Sequence, residues 1–275
     1  MIVANTSQES ALTLDSKELF YLADLLGADC LDCVENPFRG YLQNEATENR
    51  DDVRESLIAK GVINRAVGDI AIPQEMFSRL AALLFSDKAC WMKYKTGTQI
   101  NEEFLHITNE RVVTLERMPE DPTLHRMDEI GEVNKACGVL AGKLKWNMHT
   151  PGELPALLLS RRQFEEIVKH LDELEMDDIL AELSKVSDDQ EGIIALAKCM
   201  KTSVSHGDLR FYARHGENWE RQSAKFINNH HMNWLIRTSS REDEDWLIAT
   251  PTPSEKFQEM LQNWFQQPSG QGLTE

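Results

Sequence analysis

Positive charge is what this chain has least of. In 275 residues, 29 Lys and Arg stand against 46 Asp and Glu, for a formal net charge of −17. Proteins that bind DNA or RNA neutralise phosphates with clustered Lys and Arg, so the balance argues against a nucleic-acid partner. It argues equally against anionic lipid headgroups. Long apolar runs are missing too: no stretch approaches the roughly 20 apolar residues that span a bilayer, so no membrane insertion is expected. Met1 to Ser10 is polar, with neither a basic nor an apolar segment. No secretory signal is therefore expected, and the expected location is cytoplasmic.

The common catalytic motifs are also missing. No GxGxxG or GxxxxGK[ST] loop occurs to cradle a phosphate, and Gly97 stands alone. There is no GxSxG elbow and no HExxH. The five cysteines, Cys30, Cys33, Cys90, Cys137 and Cys199, are odd in number and mostly far apart. That pattern reads as reduced thiols rather than a disulfide framework. Cys30 and Cys33 form a CxxC, but without a second ligand pair or a surrounding βαβ unit it supports neither zinc nor redox chemistry. His230 and His231 are adjacent, which in a strand points them to opposite faces, so a turn between paired strands is the better reading. No catalytic residue, metal or cofactor is expected, and the chain reads as a non-enzyme.

What is present is enough apolar material for a core, 41% of residues, in clear periodic runs. Asp15 is positioned to cap a helix from Ser16 to Leu26, with Glu18 completing a capping box. Leu19, Leu22, Ala23 and Leu26 share one face and Gly27 ends the helix. A helix from about Asp51 to Gly61, short strands at Val62-Ile63 and Ile70–Ile72, and a turn at Gly68-Asp69 resemble the tail of a winged helix. Strand-like runs follow at Cys90–Tyr94, Phe104–Thr108, Val112–Arg117 and Thr123–Met127, then a helix from Asp128 to about Leu144. After Pro151 and Pro155 the pattern restarts. Helices are expected from Ser160 and near Ile193–Met200. Strands are expected at Leu209–Ala213, Lys225–Asn229, Met232–Thr238 and Trp246–Ala249, with a closing helix from Ser254 to Phe265.

The two halves can be laid on each other. Leu19, Leu22, Ala23 and Leu26 match Phe164, Ile167, Val168 and Leu171, and Phe77, Leu80, Leu83 and Leu84 match Ile193, Leu196, Cys199 and Met200. Trp91-Met92 matches Phe211-Tyr212, Phe104-Leu105 matches Phe226-Ile227, and Leu124 matches Trp246. The expected fold is therefore α+β, with pseudo-twofold duplicated modules sharing a central antiparallel sheet flanked by helices. Residues 1–150 would form the first module, with the winged-helix-like insertion. Residues 151–265 would form the second, and 266–275 a polar tail.

Most carboxylate runs, such as Glu165-Glu166, Asp177-Asp178 and Asp188-Asp189, read as solvated faces or loop tips. Two hairpin tips stand out as candidate protein-binding sites, because loops on rigid scaffolds are where recognition usually sits. One spans Met118 to Thr123 and includes Glu120 and Asp121. The other carries Arg241 followed by Glu242, Asp243, Glu244 and Asp245, a charge cluster suited to steering a partner. Both remain open to the plainer reading of solvated turns. The winged-helix-like piece suggests a transcriptional regulator as an alternative, although Asp51-Asp52-Val53-Arg54-Glu55 lacks the basic character of a recognition helix.

The segments "LTLDSKELFYLADLLGAD", "ESLIAKGVI" and "FLHITNERVVTLER", and more weakly "AKFINNHHMNWLIRT" and "WLIATPTPSEKFQEML", resemble EspG-type proteins, the cytosolic chaperones of type VII (ESX) secretion. The resemblance covers most of the chain through apolar pattern rather than through signature residues. It implies a pseudo-twofold α+β fold with a central antiparallel sheet. It also implies a role in binding α-helical secretion substrates and keeping them soluble before export. No family binding residue maps onto this sequence by motif.

Overall fold

The computed structural model describes residues 11–28, 50–66, 69–148, 154–185, 187–216, 218–238 and 246–267. Cys30, Cys33 and the acidic tip at Arg241–Asp245 lie outside the described residues.

The N-terminal half begins with β1 (Leu12–Asp15), α1 (Ser16–Leu25) and α2 (Arg50–Ala59). The ribbon β2 (Asn64–Ala66) and β3 (Asp69–Ala71) and the helix α3 (Gln74–Phe85) follow. Four long strands come next: β4 (Lys88–Thr96), β5 (Gln99–Ile107), β6 (Val112–Arg117) and β7 (Leu124–Gly131). Helix α4 (Val133–Lys143) closes the half. The second half runs β8 (Leu157–Ser160), α5 (Arg161–Lys169), α6 (Met176–Leu183) and α7 (Gln190–Lys201). It continues through β9 (Ser205–His215), β10 (Asn218–Asn228), β11 (Asn233–Thr238), β12 (Trp246–Pro251) and α8 (Ser254–Phe265).

Ten strands form one antiparallel sheet in the order β1-β7-β6-β5-β4-β9-β10-β11-β12-β8. Each half supplies five neighbouring strands in the same internal order, and the halves meet where β4 pairs with β9. The fold is α+β, with a pseudo-twofold arrangement about that seam. Because β4 and β9 are antiparallel, the axis stands perpendicular to the sheet and keeps each residue on its own face. The matches of Trp91-Met92 with Phe211-Tyr212 and of Phe104-Leu105 with Phe226-Ile227 therefore need correction by one residue. Met92, Leu105, Phe211 and Phe226 share one face, whereas Trp91 and Phe104 lie on the other. In a period-two element, a one-residue slip reverses every side chain.

Asp15 caps α1 as its sequence requires. Its Oδ1 accepts from the Glu18 N–H at 2.7 Å, and the Glu18 carboxylate accepts from the Asp15 N–H at 2.8 Å. Glu18 is buried and also receives Lys60 and Ser56, which ties α1 to the segment around α2. Several elements differ from the sequence reading. Residues 128–131 continue β7, and the helix starts only at Val133; a register shift at Val112/Val113 lets the strand run on to Gly131, whose φ is +101°. Asp177-Asp178 lies in the first turn of α6, where the Asp178 carboxylate accepts from the Glu175 N–H. Strands β1 and β8 escape notice because they are four residues long and sit at the two edges of the sheet, where short strands limit edge-to-edge pairing. The winged-helix-like strand is β2 at Asn64–Ala66; Val62 and Ile63 before it are buried core residues.

The sheet has a different neighbour on each face. On one face α4 and α8 pack over its centre: Trp146, just beyond α4, stacks on Phe257 of α8 with centroids 3.6 Å apart and planes 5° apart. Cys90, Met92, Leu209 and Phe226 lie in the same cluster, so this core draws on both halves. On the other face there are two separate layers. Helices α1, α2 and α3 with the β2–β3 ribbon form a cluster with β1, β6 and β7, and α5, α6 and α7 form one with β8, β11 and β12.

Candidate protein-binding surface

Two lateral helical layers leave a gap between them over the middle strands β4, β9 and β10. Cross-strand partners share a face, so the register defines what lines that gap. Trp91 lies opposite Arg210, which lies opposite Ser223; Lys93 lies opposite Asp208, which lies opposite Lys225. Lys95 faces His206, Tyr212 faces Arg221, and Arg214 faces Trp219. These side chains are exposed or half-exposed, although their strands sit at the centre of a ten-stranded sheet. The reason is local: in each of these strands the opposite face carries buried apolar residues, such as Met92, Leu209 and Phe226, while the residues facing the gap are mostly polar, with Trp91, Tyr212 and Trp219 among them.

The gap is strongly cationic. The three strands place six cations there, Lys93, Lys95, Arg210, Arg214, Arg221 and Lys225, against one acid, Asp208. Lys225 Nζ pairs with Asp208 Oδ1 at 2.8 Å. The Arg210 guanidinium lies over the Trp91 ring at 4.3 Å, a cation–π contact that fixes both groups. The Trp91 Nε1–H donates to Glu102 Oε1 at 2.9 Å. Helix α5 walls one side. At its start a cavity of about 210 Å³ is lined by Arg161, Glu165, Asp208, Arg210, Arg221 and Lys225 among others. Beyond its end a second cavity of about 210 Å³ is lined by Lys95, Leu171, Asp172, Lys201 and His206 among others. Strand β9 supplies the floor of both through Arg210, Asp208 and His206. Burial, with Lys95 adding to it, holds the His206 imidazole below its usual pKa, so the ring is neutral near pH 7.

The tips anticipated from sequence lie elsewhere. Met118, Glu120 and Asp121 sit in the β6–β7 turn, away from the gap. The Met118 N–H donates to the Leu124 carbonyl at 2.9 Å, and Asp121 Oδ1 accepts from the Thr123 N–H and hydroxyl at 2.9 and 2.7 Å. Those two bonds hold the Asp121 carboxyl below the usual carboxylate range. Glu120 is exposed. The halves run antiparallel at the seam, so the β6–β7 turn and the ends of β11 and β12 at Thr238 and Trp246 fall at opposite ends of the sheet. The cationic strip was not singled out in the sequence. Its signal was the alternation Lys93/Lys95, Asp208/Arg210/Tyr212/Arg214 and Trp219/Arg221/Ser223/Lys225, spread over three segments.

Other reactive groups are enclosed. Cys90, Cys137 and Cys199 are buried, and burial pushes the Cys137 thiol up to about 11 and the Cys199 thiol up to about 12. His230 and His231 occupy the β10–β11 turn. Among the described residues, no three of His, Cys, Asp and Glu converge to hold a metal, and no helix is long and apolar enough to cross a membrane. In the winged-helix-like piece, Arg50 pairs with Asp24 and Arg65 with Glu55.

A broad antiparallel sheet with an open central strip, helices on both faces and a pseudo-twofold seam define a fold of the EspG type. Among solved structures, the chain is similar to the Mycobacterium tuberculosis type VII secretion system chaperone EspG5, determined in complex with a PE25–PPE41 dimer. The TM-score is 0.61 at 12% identity, covering 96% of this chain and 99% of that one. No family model matches the chain, and no curated protein matches it by sequence.

Proposed function

We propose that this protein is a non-enzymatic, cytoplasmic chaperone that binds α-helical substrates of a type VII secretion system and keeps them soluble for export. The observation that carries the reading is the likeness to EspG5 over nearly the whole of both chains, with that neighbour caught holding a PE–PPE dimer. The physical logic is consistent: a secreted helical hairpin exposes an apolar stripe that aggregates unless a partner covers it. We also read residues 1–150 and 151–265 as copies of one module, each with three helices ahead of its long strands, the β2–β3 ribbon being an insertion in the first. The hairpin tips Met118–Asp121 and Arg241–Asp245 are secondary contacts in this reading.

The test is co-expression with helical hairpin proteins exported by type VII secretion in the same host. A substrate that is insoluble alone should become soluble and co-elute with the chain. If every such protein stays insoluble, the reading falls. Retention of promoter DNA instead would point to the α2–β2–β3 segment and a regulatory role.

A further inference from the structure

We propose that the strip formed by β4, β9 and β10 docks a carboxylate-rich helical segment of a partner protein. The proposal deepens the chaperone reading by naming the chemistry of the docking segment, and it rests on that reading only for which protein supplies the segment.

The first argument is charge segregation. The chain carries 46 acids against 29 Lys and Arg, yet β4, β9 and β10 turn six cations and one acid to this gap, with Glu102, Glu165 and Asp172 at its edges. Like charges on neighbouring strands repel, so such a cluster costs stability in the isolated fold. Lys225 is compensated by Asp208 and Arg210 by Trp91. Lys93, Lys95 and Arg221 make no ion pair among the described residues, and all three are exposed or half-exposed. Three cations that make no ion pair, on a rigid floor, are a site for an anion, although Lys93 has Asp208 and Glu102 on its neighbouring strands.

The second argument concerns how the anion is presented. Strands β4, β9 and β10 are hydrogen-bonded on both sides. They offer no free backbone edge, so recognition by adding a strand is unavailable and the partner must be read by side chains. Alternate residues on a strand stand about 6.6 Å apart along it. Carboxylates at i and i+4 on a helix are offset by about 6.0 Å along its axis. Acids at i and i+4 therefore match Lys93 and Lys95, with Arg221 across the floor for a further acid. Helix α5 spans the distance between the two cavities, about 14 Å for its nine residues, so the wall is long enough for roughly two to three turns of a partner helix. The half-buried rings of Trp91, Tyr212 and Trp219 give apolar area between the charges.

A polypeptide fits better than a nucleic acid. A phosphodiester chain carries charge along its whole length and would leave the strip onto a surface dominated by carboxylates, beginning with Glu165 and Asp172 on the wall itself. A helix with a local acidic patch meets the cations and stops.

The experiment uses the full chain and three fluorescein-labelled probes: an alanine-rich helical peptide with Glu at i and i+4 positions, the same peptide with Lys in place of Glu, and a single-stranded oligonucleotide of equal negative charge. Fluorescence anisotropy at low salt should give binding of the Glu peptide at least about tenfold tighter than either control, weakening as salt is raised. The triple variant Lys93→Ser, Lys95→Ser, Arg221→Ser should lose about tenfold or more in affinity while melting at the same temperature. The double variant Lys93→Glu, Lys95→Glu should turn the preference toward the Lys peptide. Equal binding of both peptides, stronger binding of the oligonucleotide, or a triple variant that binds as the parent does would each overturn the proposal. The two readings fail separately. Glu-peptide binding without capture of any secreted helical protein keeps the strip and removes the chaperone role. Undiminished capture by the triple variant keeps the chaperone role and removes the strip.

Discussion

Several histidines are held neutral by their position, and each ties stability to pH. His106 lies on β5 beneath α3, fully buried, and burial drives its pKa down to about 3 despite a compensating hydrogen bond involving the backbone of Leu83. His125 is lowered by burial and by Arg117. A histidine whose folded pKa is depressed binds its proton more readily in the unfolded chain, where it titrates near 6.5. The stability it contributes is therefore complete above about pH 6.5 and declines as the pH falls toward 3. Melting temperature should drop between pH 7.5 and pH 5. In a His106→Gln variant the slope over that interval should be shallower; an unchanged slope would remove His106 as its source. The same scale contains a buried carboxylate, Glu103, held by Lys143 Nζ at 2.6 Å and by the Tyr94 hydroxyl at 2.8 Å. It lies directly opposite Glu116, whose pKa burial and Glu103 raise together.

At the scale of elements, the critical junction is the β4–β9 seam. Gly207 lies opposite Tyr94, and a Cβ built on it would come within 2.3 Å of the Lys93 carbonyl oxygen and 2.6 Å of the Tyr94 Cα. Backbone atoms cannot yield as a side-chain end can, so Gly207→Ala should force the two half-sheets apart locally. A destabilisation of about 3 kcal/mol is expected, at the upper end of overpacking costs, read as a lowered urea midpoint. A variant that unfolds at the parent midpoint would show that the seam has room the geometry denies. Hairpin geometry is marked by glycine too: Gly97 and Gly216 turn the β4–β5 and β9–β10 hairpins at φ of +59° and +64°. A left-handed residue at each turn suits Gly because it has no Cβ.

For the whole molecule, the question is whether the halves stand alone. The layer formed by α4 and α8 answers it physically. Its cluster combines Met92 and Leu105 with Leu209 and Phe226, and the Lys88 ammonium donates to the Phe265 carbonyl at 2.6 Å. Cutting the chain near residue 150 would expose that core on both pieces. Unfolding in urea should therefore be a single transition, coincident by circular dichroism and tryptophan fluorescence. Two separated transitions would mean that residues 1–150 and 151–265 fold independently.

The sequence by itself determined the local elements. The β-branched, apolar run at Val112–Arg117 marks a strand that forms over those residues, Ser254–Phe265 is a helix with the bounds its pattern implies, and the Asp15–Glu18 box closes as its spacing requires. Each depends on neighbours along the chain, so each is legible in it. The apolar pattern also carried the likeness to the EspG fold. Tertiary structure alone decided which face of each strand is covered. Period two says that the faces of β4, β9 and β10 differ, but not that α4 and α8 take one side while the lateral helices stop short of the other. The cationic strip exists only because Lys93 and Lys95, remote in sequence from the β9–β10 hairpin that carries Arg210 and Lys225, become its neighbours across the seam. Net charge hides such a cluster, because a sum over the chain carries no positions and electrostatic recognition depends on little else.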